Sequence, residues 1–319
     1  MVTKPNITQN ELINLLNESY PLQVKSLTFL PKGEVSWVYI VESIETTKYL
    51  LKIHKAKVLP VERFQLLSDL HEKAGINGLT YPLPTKNGAL QINILGYPSV
   101  IFNYIGGKTA HESKPTDKDY ERFGTLLAEI HQAVKVIDYP VKETFNIPTK
   151  DDFLKVLSHL DGGYRIDGIK KDPFNILKPL CARLEKELSA LESLQSQLRS
   201  SNLDFVLCQG EPSPGNIMVG NDGEPYLIDW DEPIVAPKEK DLLFFSHTIE
   251  PVLKGYSQHS SDITINKDIE KFYSLLWNVN EIADWGNRIF FANSSEAELK
   301  HSLDQLKDFL DYSGLEDKA

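Results

Sequence analysis

Residues 205–233, FVLCQGEPSPGNIMVGNDGEPYLIDWDEP, form an island of strand-and-turn pattern inside a stretch that otherwise reads as helix. An apolar strand runs into a loop punctuated by Pro212, Pro214 and Gly215. A second strand, a turn at Asn221-Asp222-Gly223 and a third strand ending at Ile228 follow. Glu211 lies in the loop directly after the first strand. Asn216 follows five positions later, and Asp229 thirteen positions after that, at the end of the last strand. The turn folds Asn216 and Asp229 back toward each other, so two oxygen ligands meet at one end of a two-stranded ribbon. A hard divalent cation such as Mg²⁺ binds through one or two such groups together with substrate phosphates. Glu211 stands close enough to take a proton from an attacking hydroxyl. A metal clamp, a base and a nucleotide are the parts that phosphoryl transfer requires.

Outward from this island, the first third of the chain alternates. Thr8-x-x-Glu11 is a capping box that opens a short amphipathic helix carrying Leu12, Ile13, Leu15 and Leu16. Strands are expected at 26–30, 35–43 and 48–54, rich in Val, Ile, Tyr and Phe, with breaks at Pro31-Lys32-Gly33 and near Glu45–Thr47. A helix is expected from Val61 to Lys73, stopped at Gly75. The turn Thr85-Lys86-Asn87-Gly88 between two apolar runs predicts a hairpin. Ile105-Gly106-Gly107-Lys108 breaks the pattern and marks a boundary between domains 1–104 and 105–319. Beyond it the chain is mostly helical. Phe123, Leu126, Leu127, Ile130 and Val134 keep helical spacing, as do Leu177, Cys181, Leu184, Leu188, Leu191 and Leu198. Helices are also expected over 269–291 and 295–310, the second opened by the capping box Ser295-x-x-Glu298. The fold class is therefore α+β, with a small β-rich N-terminal lobe and a large, mostly helical C-terminal lobe.

Composition narrows the function. The 319 residues are 41% hydrophobic and 25% charged, which excludes a disordered chain, a collagen-like repeat and a coiled-coil rod. No apolar run reaches the ~18–20 residues that span a bilayer, and the first residues do not read as a signal peptide. Two cysteines, Cys181 and Cys208, argue against a disulfide framework and suit a reducing cytoplasm. The net charge of −11 argues against nucleic acid as a partner. Residues 1–105 carry 10 basic and 8 acidic side chains, the remainder 24 and 37. A mildly basic first third suits an anionic nucleotide, and an acidic remainder suits a metal ion or a cationic substrate.

The island resembles the catalytic core of the aminoglycoside phosphotransferase family, which has a protein-kinase-like fold. That family shows a His-Gly-Asp-x-x-x-x-Asn loop and, thirteen residues on, the Asp of an Ile-Asp-[Trp/Phe] strand. The counterparts here are Gln209-Gly210-Glu211-x-x-x-x-Asn216 and Ile228-Asp229-Trp230. The run IDWDEPIVAPKEKDL (228–242) is similar to spectinomycin phosphotransferases, an aminocyclitol-modifying branch. The resemblance implies that ATP or GTP lies between two lobes, with Lys52 in YLLKIH on its phosphates and Glu62 as the ion-pair partner of that lysine. It implies a hinge in VIFNYIGG (100–107), where Phe102, Asn103, Tyr104 and Ile105 meet adenine. It implies Mg²⁺ on Asn216 and Asp229, Glu211 as catalytic base, and Asp241 as a scaffold residue packed against the catalytic loop. The sequence departs from the family in three places. The base is Glu rather than Asp, and one methylene displaces a carboxylate by ~1.5 Å, a misplacement that can cost ~100-fold in rate unless the loop is set back. Gln209 and Ser213 stand where histidines are usual. The glycine-rich loop offers only Gly33, so backbone amides and Ser36 would hold the phosphates.

Asp231 and Glu232 lie just past the metal-binding aspartate and would face substrate amines, or form a solvated capping pair. Glu281, Asp284 and Trp285 share one region of a helix that in this fold borders the acceptor cleft. They would make a carboxylate–aromatic wall for a cationic sugar, or an ordinary amphipathic face with the tryptophan in the core. His54, His111 and His131 lack metal-ligand spacing and read as packing or surface residues. The leading expectation is a cytoplasmic ATP-dependent kinase, monomeric or homodimeric, that phosphorylates a hydroxyl of a small cationic molecule and so has a place in antibiotic resistance. The alternatives are a pseudokinase that binds nucleotide without turnover, and a kinase of a metabolite such as choline, homoserine or a thiosugar.

Overall fold

The computed structural model describes residues 5–31, 35–56, 58–162, 168–293, 295–313 and 315. Along the chain these form α1 (Gln9–Ser19), β1 (Val24–Leu30), β2 (Ser36–Ser43), β3 (Lys48–His54), α2 (Val61–Glu72), β4 (Ile92–Ile94), β5 (Tyr97–Asn103), β6 (Gly107–Thr109), α3 (Ala110–Ser113) and α4 (Asp117–Gln132). There follow α5 (Lys150–Asp161), α6 (Lys171–Leu177), α7 (Cys181–Arg199), β7 (Val206–Cys208), β8 (Ile217–Gly220), β9 (Pro225–Leu227), β10 (Ile234–Ala236), α8 (Glu239–Leu242), α9 (Ile249–Tyr256), α10 (Lys267–Gly286) and α11 (Glu296–Ser313). The architecture is mixed, with a β-sheet N-terminal region and a helical C-terminal part. The expected glycine-rich loop at Gly33 falls outside the described residues.

Contacts divide the chain into two compact units. One comprises residues 1–142 with 205–263, the other 143–204 with 264–319. The first unit contains a five-stranded antiparallel sheet in the order β1-β2-β3-β5-β4. Side chains on a strand alternate between faces. Leu51 and Ile53 of β3 therefore join a core cluster with Leu12 and Leu16 of α1 and with Tyr20 just after it. Leu50, Lys52 and His54 point the other way, with Phe102 of β5 beside them through the Leu50–Phe102 register. The α1 capping box forms as its sequence predicts: Glu11 N–H donates to Thr8 Oγ1 at 3.3 Å, and Thr8 N–H to the Glu11 carboxylate at 2.9 Å. Helices α4 and α9 cross so closely that a β-carbon on Gly124 would overlap the carbonyl of Val252, and one on Gly255 the carbonyl of Glu121.

The turn at Thr85–Gly88 forms, with Gly88 N–H on the Thr85 carbonyl, but it does not close the expected hairpin. The preceding run is taken by other partners. Asn103 accepts the Tyr81 N–H on Oδ1 and donates Nδ2 to the Leu79 carbonyl, and Leu83 N–H reaches the Ile101 carbonyl. The hairpin here is β4–β5, turning at Leu95-Gly96, both at positive φ.

In the second unit, α10 packs against α5, α7 and α11. Phe145, Phe272 and Tyr273 form one aromatic cluster; Trp277, Phe309 and Tyr312 form another. Asn278 Nδ2 donates to Glu187, which also pairs with Arg183 one turn away. The helix expected to run to Phe291 is α-helical only to Gly286 and continues as a π-turn over Asn287–Phe291.

Candidate active site

Strand β7 delivers the loop Gln209-Gly210-Glu211. Gly210 sits at φ +105°, and a β-carbon there would overlap the Glu232 carbonyl, so only glycine allows this approach. Further along, β8 and β9 pair with Ile217 opposite Leu227, closed by the 221–223 turn. One residue beyond that ladder, Ile228 N–H donates to the Asn216 carbonyl at 2.8 Å. The hairpin register thus carries Asn216 and Asp229 to the same end of the ribbon. Asn216 Nδ2 donates to the Glu211 carbonyl at 2.9 Å, which ties the third residue of the set to the second. It is then the amide oxygen of Asn216 that remains to accept a cation.

Asp229 adopts φ +57°, a left-handed conformation that costs a non-glycine residue ~1–2 kcal/mol. Gln209, which is buried, holds this strained segment. Its Nε2 donates to the carbonyls of Ile228 (3.1 Å) and Asp229 (2.7 Å), while its Oε1 accepts the Glu211 N–H (2.7 Å). One amide thereby joins the loop of Glu211 to the segment of Asp229. A neutral imidazole has one donor and one acceptor and cannot satisfy all three groups.

Beneath the loop lies a buried polar chain. Asp241 accepts the backbone N–H groups of Gln209 and Gly210, each at 2.8 Å. His131 Nε2 lies 3.1 Å from the same carboxylate, and its Nδ1 lies 2.8 Å from Tyr256 Oη. A carboxylate only accepts, so the Nε2–H donates to it and Nδ1 accepts a hydrogen bond from the tyrosine O–H. Burial holds the Tyr256 hydroxyl well above the ordinary phenol range, so it remains a donor. Asp241, His131 and Cys208 approach one another closely enough to suggest a metal centre. Their polar atoms already bond to one another or to the backbone, and they support the backbone of the 209–211 loop.

A cavity within the first unit opens above this site. Leu50, Leu67, Met218 and Ile228 give it apolar walls, and Thr80, Phe102, Asn103, Tyr104 and Ile105 also line it. Lys52, Arg63, Asp229 and Asp231 give it charged walls, with His54 beside them. Lys52 Nζ contacts Asp229 Oδ1 at 2.8 Å. The expected pairing of Lys52 with Glu62 is not made: Glu62 is exposed at the start of α2. Successive helix residues point ~100° apart, and the docking of Phe64, Leu67 and Leu70 turns Arg63 inward instead. Arg63 Nη1 donates to the carboxylate (2.8 Å) and the carbonyl (2.9 Å) of Asp231. His54 is 4% exposed, and its Nε2 has no hydrogen-bond partner. Burial, reinforced by the charges of Lys52 and Arg63, pushes its pKa down to about 4. It is therefore a neutral polar group that packs in the cavity wall, its ring 6.3 Å from that of Phe64.

Ser36 is buried at the start of β2, in register with His54, and does not line the cavity. Glu232 is exposed next to Asp231. Glu281, Asp284 and Trp285 lie on α10 in the second unit. Trp285 Nε1 donates to Glu281 at 2.7 Å, Asp284 pairs with Arg288 at 3.0 Å, and Arg288 stacks over the tryptophan ring at 4.8 Å. Burial raises the Glu281 carboxyl above its usual range, against the Trp285 hydrogen bond. Arg63 and His54 are residues that sequence reasoning did not place in the site, and Gln209 was read there only as a departure from the family motif. The signals for the first two were an arginine next to the expected glutamate, and a histidine two positions from the lysine on the same strand face.

A lysine–aspartate pair in a cavity lined by residues 102–105 is the arrangement expected of a phosphotransferase, and comparison with known proteins specifies the class. The sequence model of the phosphotransferase enzyme family matches residues 26–243. The chain belongs to this family of small-molecule kinases with hydroxyl acceptors. It is 24% identical to Protein StrN of Streptomyces griseus over 92% of this chain and 90% of that protein. Its fold is similar to that of spectinomycin phosphotransferase APH(9)-Ia, solved with ADP and spectinomycin (TM-score 0.83, 22% identity, 95% of each chain). It is also similar to a microcompartment-associated aminopropanol kinase (TM-score 0.63, 15% identity, 95% of this chain and 98% of that one). No helix among the described residues is long and apolar enough to cross a membrane.

Proposed function

We propose that this protein is a cytoplasmic, ATP-dependent kinase that phosphorylates a hydroxyl of a small cationic molecule of aminocyclitol type. The observation that carries the reading is the convergence of Lys52 and Asp229 in a cavity lined by the 102–105 hinge, with Asn216 and Glu211 bonded to each other beside Asp229. The fold shared with a spectinomycin phosphotransferase over 95% of both chains supports the choice of acceptor. By role, 1–104 is the nucleotide lobe and 105–319 the catalytic and acceptor lobe.

The apolar part of the cavity takes the base, and the backbone at 103–105 orients it. Lys52 holds the phosphates once it leaves Asp229. Asn216 and Asp229 would hold Mg²⁺; their oxygen donors suit a hard cation, which when bound neutralises phosphate charge. Glu211 orients the acceptor hydroxyl and receives its proton on a carboxylate oxygen. The bonds of Gln209 speak against a pseudokinase, since a degenerate loop has no need to hold both the base and the metal segment.

The test is ADP release with ATP and Mg²⁺ over a panel of spectinomycin, other aminocyclitols, aminoglycosides, choline and amino alcohols. Turnover with an aminocyclitol is the expected result. Turnover confined to a metabolite amine would replace the acceptor class. ATP binding with no turnover on any acceptor would replace the kinase by a binding module.

A further inference from the structure

Helix α2 presents a buried arginine, not a carboxylate, to the charged wall of the cavity. The Arg63 side chain is 8% exposed and lies over the Phe64 ring at 5.1 Å. Both its hydrogen bonds to Asp231, whose own side chain is 40% exposed, come from the same nitrogen, Nη1. Asp231 is two residues from Asp229, and Trp230 between them is anchored by Nε1–H on the Leu227 carbonyl at 3.1 Å. Asp229 is in the left-handed region, a conformation that persists where the surrounding structure holds it. On one side Gln209 grips the carbonyls of 228 and 229. On the other, the grip on 231 comes from Arg63.

We propose that Arg63 and Asp231 form a clasp that ties α2 to the metal-binding segment and fixes the carboxylate of Asp229. Arg63 is a positioning residue, and Asp231 is its partner rather than a contact for the amines of the acceptor. The inference rests on the reading of Asp229 as the metal ligand. A buried guanidinium with one carboxylate partner suits this task. Its bonds to charged and main-chain oxygens are stronger than neutral ones, and Asp231 left without Arg63 would relax toward solvent.

The experiment is calorimetric titration of ATP into the full chain, with Mg²⁺ and with EDTA, for wild type, Arg63→Ala, Arg63→Lys, Asp231→Asn and the double variant Arg63→Ala/Asp231→Asn. Melting curves confirm that each is folded. The expected result is that Arg63→Ala and Asp231→Asn each reduce the gain in affinity conferred by Mg²⁺ by about tenfold or more, with little change in EDTA. The double variant loses no more than Arg63→Ala alone, since both remove one interaction. Arg63→Lys recovers only part of the gain, because an ammonium does not reproduce the guanidinium geometry. Four outcomes overturn the clasp: an unchanged Mg²⁺ gain in Arg63→Ala, full recovery in Arg63→Lys, additive losses in the double variant, or equal loss of ATP affinity with and without Mg²⁺. Wild type that binds ATP no better with Mg²⁺ than with EDTA instead removes the metal assignment of Asp229. The clasp is then judged by amide exchange of 229–231 in the nucleotide-free protein, and unchanged exchange in Arg63→Ala overturns it.

Discussion

Gln209 stands where a histidine is usual, yet its amide makes two donations and one acceptance that keep Glu211 and Asp229 in one frame. On the proposed reading Glu211 is the base, and loss of its proton acceptance is then expected to be costly. Glu211→Gln should lower single-turnover transfer by ~10²–10⁴-fold while Mg-ATP affinity stays within about twofold, as read by rapid quench and calorimetry. His54 has a different signature. Its pKa of about 4 in the fold lies below the 6.5 of an ordinary histidine. Between those values the unfolded chain binds the proton and the folded chain does not, so stability rises with pH across that window. The contribution is full above pH 6.5 and falls as pH drops toward 4. The expected loss between pH 7.5 and 5 is about 2 kcal/mol, measured by urea unfolding. His54→Gln should remove it, and an identical pH slope in both proteins would show that another group titrates.

The crossing of α4 and α9 transmits to the site through short links. Helix α4 ends in the turn that carries His131, and α9 ends at Tyr256, whose hydroxyl reaches that histidine. His131 in turn supports Asp241 under the backbone of Gln209 and Gly210. The helices approach through Gly124 and Gly255, with no room for a side chain. Gly255→Val should therefore destabilise the protein by ~1–3 kcal/mol or more in urea unfolding. It should also lower kcat with less effect on KM for ATP, because the catalytic loop rather than the hinge is displaced. Wild-type kcat in a destabilised Gly255→Val would show that the polar chain does not transmit the helix shift.

Nucleotide binding reports on the molecule as a whole. Every residue that lines the cavity belongs to the first compact unit. Mg-ATP at about 100 times its Kd should stabilise the folded state by ~2.7 kcal/mol, seen as a rise in Tm. Amide exchange should slow in β3, β5 and the 228–231 segment on addition of Mg-ATP. Helices α5, α7 and α10 of the second unit should keep their nucleotide-free exchange. Protection spread equally over both units would place the nucleotide elsewhere than in this cavity.

Short-range chemistry was readable in the linear chain. The capping box at Thr8, the β3 alternation and the 221–223 turn each depend on residues a few positions apart. The ribbon that joins Asn216 to the Asp229 segment is a consequence of that turn and its register. The phosphotransferase class and kinase-like fold were likewise legible, because the Gln209–Asn216 loop and the Ile228-Asp229-Trp230 segment flank one short hairpin. The direction of each side chain on α2 was not. Glu62 and Arg63 are neighbours ~100° apart on a helix, and which one faces the cavity is decided by how Phe64, Leu67 and Leu70 seat against the sheet. The Asn87-Gly88 turn misled for a similar reason: its local geometry forms, but Asn103 captures the strand that should have paired. Lys52–Asp229 and His131–Asp241 join residues far apart in the chain. Such pairs arise only when separately folded elements dock, and docking depends on burial summed over many side chains rather than on any local pattern.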